Sequence, residues 1–303
     1  MPATRPSGPP IRVGAALVWR GSAEGPADEV EVALIAEGDG WTLPSAAAGG
    51  GEPEAAIVAA VPLAGSGAVL GPLLGVVRDS VAQGERARLR LRTVWAVEAA
   101  GQGEETGPAR WLPLPQAAAA LAGDPLAVAV AQFATGPRRV TRLLLLRHAD
   151  ALPAREGPDA ERRLSPVGAA QAGALTRTLA PFGPVSIACS PARRCRDTVA
   201  PAARALGLQV DVEPLVAEYA AERGAAETYL RGRATAAGPH GAAVVCSHSP
   251  AVADALERLT AQRPELLPRP ARLDPAGVWS IEFADETPRV LHYLPPPAVG
   301  ASA

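Results

Sequence analysis

The chain has 303 residues, 48% hydrophobic and 20% charged, with 29 basic against 31 acidic side chains and a net charge of −2. That length is comfortable for two domains with real cores. The near-neutral balance excludes a nucleic-acid groove or an anionic membrane surface as the main partner, so any functional positive charge must be local. The sequence contains no lysine and every basic residue is arginine, which removes Schiff-base lysines and a Walker-type phosphate loop. Cys189, Cys195 and Cys246 show no Cys-x-x-Cys spacing. They are expected to be reduced, core-filling thiols of a cytoplasmic protein. No apolar run approaches the ~20 residues that span a bilayer, and no apolar signal core follows Met1 to Pro6; a soluble protein is expected.

Residues 1–10 are proline-rich and expected to be disordered. Arg12 to Arg20 reads as a strand, and Glu29 to Ala36 alternates as its neighbour. Trp41-Thr42-Leu43-Pro44 follows. An alternating, arginine-rich strand comes later, from Arg86 to Val97, and Ala109 to Pro115 leads into an alanine-rich helix. This order resembles a Nudix hydrolase domain over residues 11–136, which implies an α/β/α sandwich around a mixed sheet.

The Nudix box is degenerate. Setting its first glutamate on Glu52 puts Ala46 at the family's glycine and Ala60 at its arginine. Val61, Ala64 and Gly65 then stand where the family carries metal-holding glutamates. Pro62 falls inside the box helix, at a cost of about 3 kcal/mol. Hard cations need several oxygen ligands. Glu52 and Glu54 remain nearby and are expected to be exposed and solvated. This half is therefore read as a scaffold without hydrolase activity, ahead of a nucleotide sensor.

Residues 134–140 contain Gly-Pro and read as the linker. The second domain spans 137–294, with a loose tail at 295–303. Leu143 to Leu146 reads as a strand buried on both faces of a parallel sheet, with Arg147 and His148 at its carboxyl end, where open α/β sheets place ligands. Leu164-Ser165-Pro166 caps and starts a helix running to about Leu179. Val185 to Cys189 ends in Ser190-Pro191 and opens a helix with Arg194, from Arg193 to Leu206. A short strand near Leu208 to Val212 precedes an irregular section, Glu213 to Gly238. Ala242 to Cys246 ends in Ser247-His248-Ser249-Pro250 and opens another helix. The serines before proline in these two openings are expected to be N-caps. Gly277 to Phe283 and Pro288 to Tyr293 read as a hairpin closing the sheet.

Four separated motifs carry a second resemblance: Arg147-His148-Ala149; Arg163 to Gly168 with Gln171; Ser190 to Cys195 with Thr198; and Ser247-His248. Together they resemble the histidine phosphatase superfamily, in particular its small bacterial branch, which includes phosphohistidine phosphatases. Ala149 replaces the glycine of the family's name-motif. The resemblance implies a phosphoglycerate-mutase-like three-layer α/β/α domain.

Phosphate recognition suits arginine's planar fork, whose charge never titrates away; Arg147 and Arg194 fit that role. An imidazole attacks phosphorus only when its nitrogen is unprotonated, a form that nearby guanidinium groups favour. His148 is then the nucleophile, giving a phosphohistidine, and His248 binds the developing charge. The resemblance implies a general acid from the irregular section: Glu218 is preferred, with Glu213, Glu222 and Asp150 as alternatives. His240 and His292 are given no role. No metal or cofactor is implied. The expected partner is a phosphorylated small molecule such as a nucleotide, or a phosphoprotein, in a shallow, open pocket. The rival readings are a Nudix-type nucleotide pyrophosphohydrolase and a non-catalytic phosphate sensor.

Overall fold

The computed structural model describes residues 8–49, 51–83, 86–100, 109–153, 158–217, 223–239 and 241–299. The chain forms two compact units, Met1–Arg139 and Val140–Ala303.

The first unit contains β1 (Ile11–Arg20), β2 (Glu31–Glu37), β3 (Gly40–Thr42), β4 (Ser45–Ala47), α1 (Glu52–Ala64), β5 (Leu70–Gln83), β6 (Arg86–Glu98), β7 (Ala109–Pro113), α2 (Leu114–Ala120) and α3 (Ala127–Thr135). Its mixed sheet has the order β3-β2-β1-β6-β5, with β4 on β1 and β7 on β2. Within it β1 and β6 run parallel. Alternation along β1 sends Ala15, Leu17 and Trp19 toward Leu114, Leu121, Val130 and Phe133 of the α2 and α3 region. The opposite face meets α1, and there Gly14 leaves no room for a side chain, because a Cβ would lie 2.1 Å from the Glu52 carbonyl oxygen.

Glu52 is not exposed as expected. It is 5% accessible and pairs with Arg12 at 2.7 Å, since its place at the start of α1 presses it against β1. Pro62 does lie inside α1, in its last turn, so the interruption there is confined to the helix end. A further difference is β5, a long strand that sequence reading passed over.

The second unit contains β8 (Thr141–Arg147), α4 (Pro166–Leu179), β9 (Pro184–Cys189), α5 (Arg193–Leu206), β10 (Val210–Val212), α6 (Arg223–Ala237), β11 (Ala242–Ser247), α7 (Ser249–Leu259), β12 (Val278–Ala284) and β13 (Thr287–Leu294). Its sheet order is β10-β9-β11-β8-β12-β13. The first four strands are parallel and the β12–β13 hairpin joins antiparallel to β8. Leu143 to Leu146 are all buried. Leu143 and Leu145 pack with Val216, Leu230, Val252 and Leu256, while α5 packs on β9 and β11, and α4 on α5.

Two expectations change here. Much of the section read as irregular is α6, whose Leu230 and Ala234 enter the core. Ser190 and Ser249 are not N-caps. The caps of α5 and α7 are Ala192 and His248, without side-chain capping bonds. Ser165 does cap α4, accepting from the Gly168 N–H. Among the described residues no helix is long and apolar enough to cross a membrane.

Candidate active site

The parallel strands β8 and β11 end side by side, with Arg147 opposite Ser247, and the His148 N–H donates to the Ser247 carbonyl at 2.8 Å. One sheet edge therefore brings together Arg147, His148 and His248. The first turn of α5 adds Arg194.

Arg194 is 2% exposed and links the pieces. Its Nε donates to His148 Nε2 at 3.2 Å, one Nη to His248 Nδ1 at 3.1 Å, and the other to the Asp159 carbonyl at 2.8 Å. The Asp159 carboxylate pairs with it at 2.9 Å. A guanidinium can only donate, so these contacts fix what the rings must do. His148 Nδ1 lies 2.8 Å from the Ala149 carbonyl, an acceptor. Its hydrogen therefore sits on Nδ1 and its lone pair on Nε2. His248 accepts at Nδ1, carries its hydrogen on Nε2 and donates to Ser190 Oγ at 2.9 Å. The two rings meet edge to face, 5.3 Å apart.

Burial pushes the His148 imidazole down to about 4, opposed by the hydrogen bond to the Ala149 carbonyl and aided to a lesser degree by the neighbouring Arg194 and Arg147 guanidinium groups. It is thus neutral, with its lone pair available, across the physiological range. Arg147 donates to the Leu273 carbonyl at 2.7 Å. Its buried Nε has no hydrogen-bond acceptor among the described residues. Burial holds its guanidinium below the ordinary range without neutralising it.

The loop after β8 is clamped. The Ala149 N–H donates to Thr198 Oγ1 and the Asp150 N–H to Gln171 Oε1. The Ser165 hydroxyl donates to the Asp150 carboxylate. Asp150 is therefore engaged in holding the start of α4. Glu213 accepts from the Leu215 N–H, a capping role. Glu218, Glu222 and His240 lie outside the described residues. His292 sits in β13 opposite Ser280, away from the ends of the parallel strands.

Sequence reading missed Asp159, which holds Arg194, and the role of Ser190 against His248. Asp159 stands in a polar stretch without periodicity, and no local signal marked it. A cavity of about 80 Å³ opens beside α6 and α7, walled by Leu145, Val216, Leu230 and Ala255. Arg147, His148, Arg194 and His248 do not line it, while Ser247, whose carbonyl holds the His148 N–H, does. Among the described residues no group of His, Cys, Asp or Glu is arranged to hold a metal ion.

Residues 143–229 match the model of the histidine phosphatase superfamily (branch 1). They form a histidine phosphatase domain. Over 95% of this chain and 92% of its own length, an 8-oxo-(d)GTP phosphatase of Mycolicibacterium smegmatis is 29% identical. Among solved structures, the protein histidine phosphatase SixA in complex with tungstate is 18% identical, with 52% of this chain and 97% of that one covered at a TM-score of 0.43. A mycobacterial glucosyl-3-phosphoglycerate phosphatase is also 18% identical, with 53% and 100% covered at a TM-score of 0.39. The match over residues 143–229 supports a phosphate-ester hydrolase.

Proposed function

We propose that the histidine phosphatase domain hydrolyses phosphomonoesters without a metal, through a phosphohistidine on His148. The observation that carries this reading is the tautomer set by the Ala149 carbonyl, which turns an unprotonated Nε2 toward Arg194. Arg147 and Arg194 bind the phosphoryl oxygens, and Arg194 moves from His148 onto the incoming phosphate. Nε2 attacks phosphorus as the ester oxygen departs with a proton, for which Glu218 is the proposed donor. His248 and the two guanidinium groups stabilise the charge on the equatorial oxygens. Water then attacks the phosphohistidine and releases phosphate.

The first unit is read as a Nudix-like scaffold that does not hydrolyse pyrophosphate. Glu52 is committed to Arg12, and the box positions at Val61, Ala64 and Gly65 carry no oxygen ligands. A nucleotide is the preferred substrate over a phosphoprotein, because the 8-oxo-(d)GTP phosphatase matches both units of this chain.

The test is phosphate release in EDTA from simple phosphomonoesters, nucleoside mono-, di- and triphosphates and a phosphohistidine peptide. We expect turnover that disappears in His148→Ala. Activity that requires magnesium and survives this substitution would move the chemistry to the first unit.

A further inference from the structure

Arg147 is held by a loop that belongs to neither a helix nor a strand. Residues 272–277 precede β12 and meet the end of β8 through backbone and side chain alike. The Arg147 N–H donates to the Gly277 carbonyl at 3.3 Å, and the Ala276 N–H lies 3.2 Å from the carbonyl oxygens of both Arg147 and His148. Ala276 is fully buried with a φ of +61°, a left-handed backbone that a residue with a side chain keeps only where its surroundings fix it. The Arg147 side chain is tied to the same loop, its Nη1 donating to the Leu273 carbonyl at 2.7 Å. Its buried Nε–H has no acceptor among the described residues. An unmet buried donor is unfavourable, and a phosphoryl oxygen at this site would satisfy it.

The loop is fixed from the far strand of the hairpin. Tyr293 in β13 stands opposite Trp279, and the two rings pack 5.1 Å apart. The Tyr293 hydroxyl is spent on the loop, where it donates to Asp274 Oδ2 at 2.7 Å. Gly277 makes this reach possible, since a Cβ there would lie 2.2 Å from the tyrosine oxygen. Two further bonds brace the turn: the Gly277 N–H to the Asp274 carbonyl at 2.9 Å, and the Trp279 indole N–H to the Arg272 carbonyl at 2.8 Å. Burial, together with the Asp274 carboxylate, pushes the Tyr293 phenol up, so it stays a donor.

We infer that Tyr293 and Asp274 are positioning residues of the phosphate site, latching the 272–277 loop so that the Leu273 carbonyl presents Arg147 to a phosphoryl group; the inference rests on the phosphatase reading of that site. Their bond fixes where the Leu273 carbonyl stands, and that carbonyl fixes the guanidinium. Arg147 holds the phosphoryl oxygens before and during the displacement, so a misplaced Arg147 loses binding common to ground and transition state. Such a loss raises KM with little change in kcat.

The experiment uses the full-length protein, titrated with inorganic phosphate in a calorimeter and assayed with p-nitrophenyl phosphate in EDTA. Tyr293→Phe deletes the hydroxyl and keeps the ring against Trp279. It is expected to weaken phosphate binding and raise KM by about ten-fold, with kcat held within about three-fold. Asp274→Ala is expected to do the same, whereas Asp274→Asn, which still offers Tyr293 an oxygen, restores most of the affinity. In an Arg147→Ala background Tyr293→Phe is expected to weaken phosphate binding no further, because the arginine through which it acts is gone. Unchanged phosphate binding in both Tyr293→Phe and Asp274→Ala would overturn the inference. So would Asp274→Asn behaving like Asp274→Ala, or an equal loss with and without Arg147. Each of these outcomes leaves the phosphatase reading standing. An unaltered chain that neither binds phosphate nor hydrolyses the ester would overturn that reading, and the inference with it.

Discussion

His148 carries two pieces of information in one hydrogen bond. The Ala149 carbonyl fixes its tautomer, and burial with two nearby arginines keeps the ring neutral to about pH 4. The acid limb of kcat/KM is therefore expected near pH 4, well below the ordinary histidine range near 6.5, and a pH–rate profile on a simple aryl phosphate reads it directly. The same shift links to stability. The unfolded chain takes up a proton on this histidine below about pH 6.5 while the folded chain resists until about pH 4. Stability therefore falls as pH drops through that window, by an amount on the order of 3 kcal/mol, and urea unfolding at a series of pH values measures it. Arg194 spreads its donors over three partners. Replacing it with lysine removes the fork, and a drop of about 10²-fold or more in kcat/KM is expected; a rate within a few-fold of the original would contradict its phosphate-binding role. At this scale the sequence showed Arg147, His148, Arg194 and His248 because each ends a strand or opens a helix inside a recognisable motif. Asp159 stayed hidden because its importance comes only from what α5 brings beside it.

The elements place these residues through close backbone contacts. Gly168, near the start of α4, sits so near the loop after β8 that a Cβ would fall 1.8 Å from the Asp150 carbonyl oxygen. Gly168→Ala must therefore push α4 away from the Ala149–Asp150 segment. We expect a lower Tm together with a fall in kcat; a variant matching the original in both would show that this contact does not position His148. The leucine run of β8 was legible because four large apolar residues in succession fit a doubly covered central strand. α6 was not legible, because Gly224, Gly232 and five alanines dilute its apolar stripe to Tyr229 and Leu230. Nor was β5, where Pro72 and Gly75 interrupt the pattern and the pairing with β6 shifts register between Leu70 and Gly75. Tertiary burial, rather than local propensity, decides both elements.

Across the whole molecule, several charges of the first unit are paired with one another. Arg12 holds Glu52, and Asp79 accepts from both Arg90 and Arg92. Glu52 is used for pairing, so a chain with Glu52→Gln is expected to keep its phosphatase rate and its indifference to magnesium. A rate that falls in this variant and returns with added magnesium would contradict the scaffold reading. The covalent step forms a bond on His148. Its most direct test is rapid quenching of the enzyme during turnover, followed by peptide mapping for an acid-labile, alkali-stable phosphoryl group. That group is expected on the His148 peptide, appearing and decaying at rates compatible with kcat. Turnover with His148 unmodified at every time point would contradict it.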